Sequence, residues 1–318
     1  MRNPMFSLLA LTALFTVSTA SANNGKALAT AHGIAHPAVI AHRGASYDAP
    51  ESTTPAYLLA RDQGADYLEL DLQRSSDGVL VVVHDDVLSR TSDVAERFPE
   101  RKDSPVSAFT LAELKSLDAG SWFNQAYPAR ARTSFRKLPI LTLDEVIDIA
   151  EGNPERHPGL YIETKVPKQF PGIEQDLKAR LAARGWLDRP GRVVLQTFDR
   201  NSLALLHEAM PQVPKDQAEF LRWLDQARQG GAVGTGPSAM RTHLGEQSYA
   251  DLIQPWMNQA SQARDLLVHA YTLDEPVDFD KAMKAGVDGI FTNRTGALLR
   301  FYQRPAEPEV VMLERLGY

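Results

Sequence analysis

The chain has 318 residues, 43% of them hydrophobic and 23% charged, an ordinary globular composition with room for one large α/β domain or two small ones. Its formal net charge of −6 argues against a nucleic-acid partner, or an acidic membrane surface, held by bulk electrostatics, while leaving room for a local basic cluster that takes a small anion. There is no cysteine, which excludes thiol catalysis, thiolate metal sites and lipidation at cysteine, so any metal must be held by oxygen or nitrogen.

Residues 1–22 stand apart: Arg2 is the only charge, residues 6–17 are almost wholly apolar, and Ala20-Ser21-Ala22 is a small-residue cleavage pattern. The apolar run is too short to cross a bilayer, so the pattern predicts a secretory signal peptide cleaved near Ala22. It also predicts a periplasmic or secreted protein with no stable membrane anchor after cleavage. Residues 23–36 read as a polar stretch.

Short apolar runs then alternate with helical patterns. Strands are expected at 37–41, 67–72 and 79–84, with a helix at 53–63 between the first two, stopped by Gly64. Residues 86–137, rich in Arg, Asp, Ser and Pro, break the rhythm and read as a small insertion after the hairpin. One helix is expected within it at 110–117, where Thr110 and Glu113 have the spacing of a capping box. The alternation resumes with helices at 142–150, 172–184, 201–210 and 277–285, and strands at 159–164, 192–197, 266–272 and 287–292. So many successive units predict a closed TIM (β/α)8 barrel over residues 37–303, with 304–318 as a tail. Residues 211–250 fit poorly, and the fifth strand is expected either as a short polar segment or within 231–236.

The chemistry concentrates in "YLELDLQRSSDGVLVVVHDD". Leu68, Leu70 and Leu72 share one face of a strand, which leaves Glu69 and Asp71 on the other. If Asp77-Gly78 is a two-residue hairpin turn, Ser76 pairs with Val79 and His84 faces Asp71, diagonal to Glu69. The unbroken apolar run 79–83 suggests a strand buried on both faces. Carboxylates pointing into such an interior need a cation, and hard divalent ions prefer oxygen donors. "LYIETKV" brings Glu163 and Lys165 to another strand end, "VVLQTFD" brings Gln196, and "VIAHRGAS" brings His42 and Arg43. Two histidines, three carboxylates and two cations together describe metal-assisted phosphoryl transfer. Each fragment alone has a blander account, as a charged hairpin face, a surface ion pair or a satisfied core glutamine.

The stretches "AHRGAS…APEST…YLELDLQRSSDGVLVVVHDD…SRT", "YIETK", "QTFD", "VHAYTLDEP" and "GVDGIFTN" resemble, in order, the signatures of the glycerophosphodiester phosphodiesterases. The resemblance implies a TIM barrel that releases an alcohol and glycerol 3-phosphate from a small glycerophosphodiester. It implies His42 and His84 as the acid–base pair, with His42 as base. Glu69, Asp71 and Glu163 would hold one divalent cation, with Ca2+ favoured over Mg2+ because exported sites tolerate weak affinity. Arg43 and Lys165 would contact the phosphate, with Gln196 and Tyr271 completing the substrate site. Gly44 is expected to let the backbone approach the diester closely. Two positions depart from the family pattern: Ser52 stands where asparagine is frequent, and Tyr271 where tryptophan is common. The rival readings are a lipid or teichoic-acid-type phosphodiesterase on the same barrel, faintly suggested by Trp122-Phe123, and a secreted protein that binds diesters without turnover.

Overall fold

The computed structural model describes residues 20–210, 215–217, 224, 227–239 and 255–318. Eight parallel strands form a ring: β1 (Ala38–Ala41), β2 (Tyr67–Arg74), β4 (Gly159–Thr164), β5 (Val193–Thr197), β6 (Lys215–Gln217), β7 (Gly234–Thr235), β8 (Leu267–Ala270) and β9 (Gly289–Thr292). The ring closes because β1 pairs with β2 on one side and β9 on the other. One further strand, β3 (Leu80–Val82), runs antiparallel to β2. The expected α/β TIM barrel is therefore the fold. Both candidates for the fifth strand are present: the short polar segment is β6, the fifth strand of the ring, and the glycine-bearing segment is β7, the sixth. The remainder of 211–250 outside 215–217, 224 and 227–239 lies outside the described residues, as do residues 1–19, most of the expected signal peptide.

Alternation along the strands sorts two interiors. Outward-facing Leu68, Leu70, Leu72, Leu160, Ile162 and Leu195 pack beneath the helices in the main core. Inward-facing Ile40, Tyr67, Tyr161, Val194, Leu267 and Phe291 fill the barrel itself. Residues 23–36 are not merely a polar stretch. The helix Ala20–His32 spans most of them, and Ala29 and Ile34 pack into the inner cluster. The helix mixes alanine with short polar residues and docks through few large apolar side chains, which leaves its periodicity weak in sequence.

The hairpin register differs from expectation by one residue. Leu72 pairs with Val82 and Arg74 with Leu80, so the connection is three residues long, not two. The Ser75 hydroxyl lies 2.6 Å from Asp77 Oδ1 and accepts from the Val79 amide at 3.0 Å, while Gly78 takes a φ of 86° that closes the loop. His84 is thus not cross-strand from Asp71. The strand stops at Val82, and the buried Gln73 amide donates to the carbonyls of Val83 (3.0 Å) and Asp85 (2.8 Å), holding the bend that carries His84.

β3 is buried on both faces as expected, with Val82 in the main core and Val81 in a second core built by the insertion. Within 86–137 the capping box of Thr110 and Glu113 starts the helix Leu111–Lys115, and Phe123 is fully buried. Residues 304–318, expected as a tail, carry the helix Glu309–Arg315, whose Met312 and Leu313 join the main core.

His269 on β8 is 2% exposed inside the barrel, its Nδ1 3.1 Å from the Tyr161 hydroxyl. Burial pushes its pKa down to about 4, with Asp288 opposing the shift and His36 adding to it. The unfolded chain takes up a proton here near pH 6.5, whereas the folded chain resists until about pH 4. Stability is therefore expected to fall as pH drops through that window, by up to about 3 kcal/mol from this ring alone. Thermal melts of His269→Gln should show a shallower acid slope than the parent chain between pH 7 and 4. Equal slopes would refute the assignment.

Candidate active site

The inward strand positions change character at the carboxyl end of the ring. Two residues beyond Ile40, Tyr67, Tyr161, Val194 and Phe291 stand His42, Glu69, Glu163, Gln196 and Asn293. All five line one cavity of about 500 Å3, together with Arg43, Asp71, His84, Lys165 and Tyr271. The catalytic, metal-binding and substrate-binding residues expected from the sequence therefore meet at one place.

Glu69, Asp71 and Glu163 are 2%, 1% and 6% exposed, and each offers an oxygen within 4.8 Å of the others. Lys165 Nζ lies 2.8 Å from Glu163 and 3.6 Å from Asp71, and Arg43 Nε lies 3.4 Å from Asp71. Burial pushes Asp71 up, but the Arg43 and Lys165 cations outweigh it and hold the carboxyl below its ordinary value. Burial and the Asp71 charge push Glu163 up to about 7, and the same two causes raise Glu69 well above its ordinary value. Asp71 Oδ2 is buried without a hydrogen-bond partner. Three crowded oxygen donors, one of them unsatisfied, fit a hard divalent cation.

Arg43 is positioned by its backbone. Its φ of 55° turns the chain back after β1, and its amide donates to Glu69 Oε2 at 2.7 Å. Gly44 does not approach the cavity as expected. At a φ of 84°, a Cβ there would fall 2.7–2.8 Å from Ala56, so the glycine serves the close approach of the helix Thr54–Gln63. Ser52, where the family often has asparagine, takes a φ of 58°, a left-handed conformation that asparagine tolerates better than serine.

Both histidines are held by acceptors. His42 Nδ1 lies 2.8 Å from Asn293 Oδ1, and Asn293 donates its amide nitrogen to Asp274 Oδ2 at 2.8 Å. Burial and the Arg43 charge push the His42 pKa down to about 3, against the Asn293 hydrogen bond. His84 Nδ1 lies 2.6 Å from Asp85 Oδ1. Arg90 joins the two histidine loops: it donates to Asp85 Oδ2 at 2.5 Å and to both Glu51 oxygens at 2.7 and 2.9 Å, and Glu51 in turn accepts from Arg43 at 3.0 Å.

Sequence reasoning missed Asn293, Asp274, Asp85 and Arg90 as members of this arrangement. The first signal available was Asn293's place just after a strand of the ring, where barrel sites gather. It also missed a wall built by the insertion and the first loop: Trp122, Tyr127, Arg130 and Tyr47 line the cavity. Of the aromatic pair noted in sequence, Phe123 is core and Trp122 lines the cavity, its indole nitrogen donating to Ala119 O.

The sequence profile of the glycerophosphoryl diester phosphodiesterase family matches residues 42–297. A glycerophosphodiester phosphodiesterase of Bacillus subtilis is 36% identical over 264 residues, which cover 80% of this chain and 82% of that protein. A phosphodiesterase of Oleispira antarctica, solved in complex with the product sn-glycerol-3-phosphate, superposes with a TM-score of 0.67 at 26% identity, covering 84% of this chain and 97% of its own. A glycerophosphodiester phosphodiesterase of Agrobacterium tumefaciens superposes with a TM-score of 0.61 at 25% identity, covering 81% and 97%. With the profile beginning at the first histidine of the cavity and running past the last strand of the ring, the chain belongs to the glycerophosphoryl diester phosphodiesterase family.

Proposed function

We propose that this chain hydrolyses small glycerophosphodiesters to an alcohol and sn-glycerol 3-phosphate, using one divalent cation at Glu69, Asp71 and Glu163, with His42 as base and His84 as acid. The observation that carries it is the meeting of a buried three-carboxylate cluster with two oriented imidazoles in one cavity of a chain of this family. The solved relative that holds sn-glycerol-3-phosphate supports the product side.

A bound cation supplies Lewis-acid polarisation of a phosphoryl oxygen. Arg43 and Lys165 place two positive charges beside the same cluster and orient the diester. The Asp274 carboxylate only accepts, so Asn293 turns its amide nitrogen toward it and its oxygen toward His42. His42 therefore carries its proton on Nδ1, leaving Nε2 with a lone pair to draw a proton from the attacking hydroxyl, which is water or the neighbouring glycerol oxygen. Asp85 accepts the Nδ1 proton of His84, and His84, entering the step with both ring nitrogens protonated, gives its Nε2 proton to the leaving alcohol. Gln196, whose Oε1 is buried without a partner, and the Tyr271 ring flank the glycerol.

Calcium is favoured over magnesium on the premise of export, since a weak site suffices outside the cell. Export itself rests on residues 1–22, and among the described residues no helix is long and apolar enough to cross a membrane. Protein recovered from the periplasm should have the intact mass of residues 23–318. On that sample, glycerol 3-phosphate release from glycerophosphoglycerol should stop with EDTA and return with one added ion. Turnover untouched by EDTA would refute the metal role. Folded protein inactive with every ion would move the reading to a lipid or polymer diester, or to a binder.

A further inference from the structure

The cavity's remaining wall has a chemistry that the hydrolysis does not use. The Arg130 guanidinium carbon lies 3.9 Å from the Tyr47 ring centre and 4.1 Å from that of Tyr127, so the group is held against two aromatic rings. Nη1 donates to the Tyr47 carbonyl. Among the described residues, Nε and Nη2 have no hydrogen-bond acceptor and no carboxylate lies within ion-pair distance. Two other cations of the cavity, Arg43 beside Glu51 and Asp71 and Lys165 beside Glu163, stand at the carboxylate cluster, where the scissile phosphate is proposed to sit. Asp48 is an acid near enough to act on electrostatically, but burial and the Glu309 charge push it up to about 7, against the pull of Arg294 and Arg130.

A box of aromatic rings ordinarily recruits a quaternary ammonium ion from a ligand. Here the face of both rings is already taken by the chain's own guanidinium. What faces the cavity is a preorganised positive charge, without an ion-pair partner in contact among the described residues and with N–H groups to give, which suits a phosphate and repels a choline. Resting on the proposed hydrolysis, we infer that Arg130 forms a leaving-group subsite that selects glycerophosphodiesters whose alcohol carries a second phosphate.

The test compares kcat/KM for three diesters whose leaving alcohols are choline, glycerol and glycerol phosphate. The wild-type chain should prefer the phosphate-bearing diester to the choline diester by about tenfold at low salt, with the preference shrinking as ionic strength rises. Arg130→Gln should bring the ratio toward one. Arg130→Lys, which keeps the charge but loses the stacked plane, should fall between. The ratio is taken within each variant, so partial loss of folded protein cancels. An unchanged ratio in Arg130→Gln overturns the subsite. If the wild-type chain cleaves none of the three, the hydrolysis reading fails instead, and binding of the same diesters by calorimetry decides the subsite by the same comparison.

Discussion

Substituting asparagine for His42 is expected to lower kcat by about a thousandfold, within the 10²–10⁴ range of general acid–base groups, and His84→Asn should do the same. Affinity for sn-glycerol 3-phosphate should change by no more than a few fold, because the proposed anion contacts are Arg43 and Lys165. The reason lies in how each ring is held. His42 is kept neutral by burial and by the Arg43 charge, and the Asn293–Asp274 pair commits its Nδ1 as a donor. His84 is committed through Asp85, which Arg90 also contacts. If the two imidazoles act in one transition state, the double variant should be little slower than either single one. Single-turnover rates and calorimetry on the same samples separate the outcomes. Full turnover in His42→Asn would remove it from the chemistry, and equal losses of rate and affinity would make it a binding group.

Glu163→Gln should divide activity from stability. Activity should fall by about a thousandfold, and the rise in melting temperature on adding a divalent cation should vanish, because one of three oxygen donors has lost its charge. The cation-free variant should nevertheless be more stable than the cation-free parent, by about 1 kcal/mol. Glu69, Asp71 and Glu163 crowd three carboxyls into a buried space of 4.8 Å, faced by two cations, so a neutral isostere relieves repulsion. Lys165 keeps Asp71 as a partner at 3.6 Å. Melts with EDTA and with calcium, run side by side, check both halves. A cation-free variant that melts below the parent would show that Glu163 pays its way as a salt-bridge partner of Lys165 and not as a ligand held ready.

The ring was legible because most of its strands are short apolar runs that alternate with helical patterns, several of the helices marked by a stop or a cap. Glu69 and Asp71 could be placed because Leu68, Leu70 and Leu72 claim the opposite face. Strands β6 and β7, three and two residues long, carry almost no pattern of their own, being ordered mainly by their neighbours in the ring. His84 reached the cavity for a different reason from the one expected. The register argument failed by one residue, and a Gln73 side chain, invisible to pattern, makes the bend. Asn293 and Asp274 act on a histidine some 250 residues away, a pairing no local spacing announces. Arg130 lies in the least periodic part of the chain, and its significance rests on two rings brought to it by tertiary structure.

The layering inside the barrel has a consequence for how such a protein diverges. Five rim groups, His42, Glu69, Glu163, Gln196 and Asn293, stand two residues beyond a buried interior side chain, as Glu69 follows Tyr67 and Glu163 follows Tyr161. Replacing a rim residue alters the chemistry and leaves the filling beneath it intact. Deleting or inserting a single residue between the two layers would send the acid under the helices and a leucine into the cavity, losing fold and site together. Change of length is thus confined to the connections, such as 86–137, and change of chemistry to substitution at alternate positions. A lineage built on this ring is free to explore new substrates by lengthening a connection that walls the cavity, while its catalytic rim accepts point replacement only.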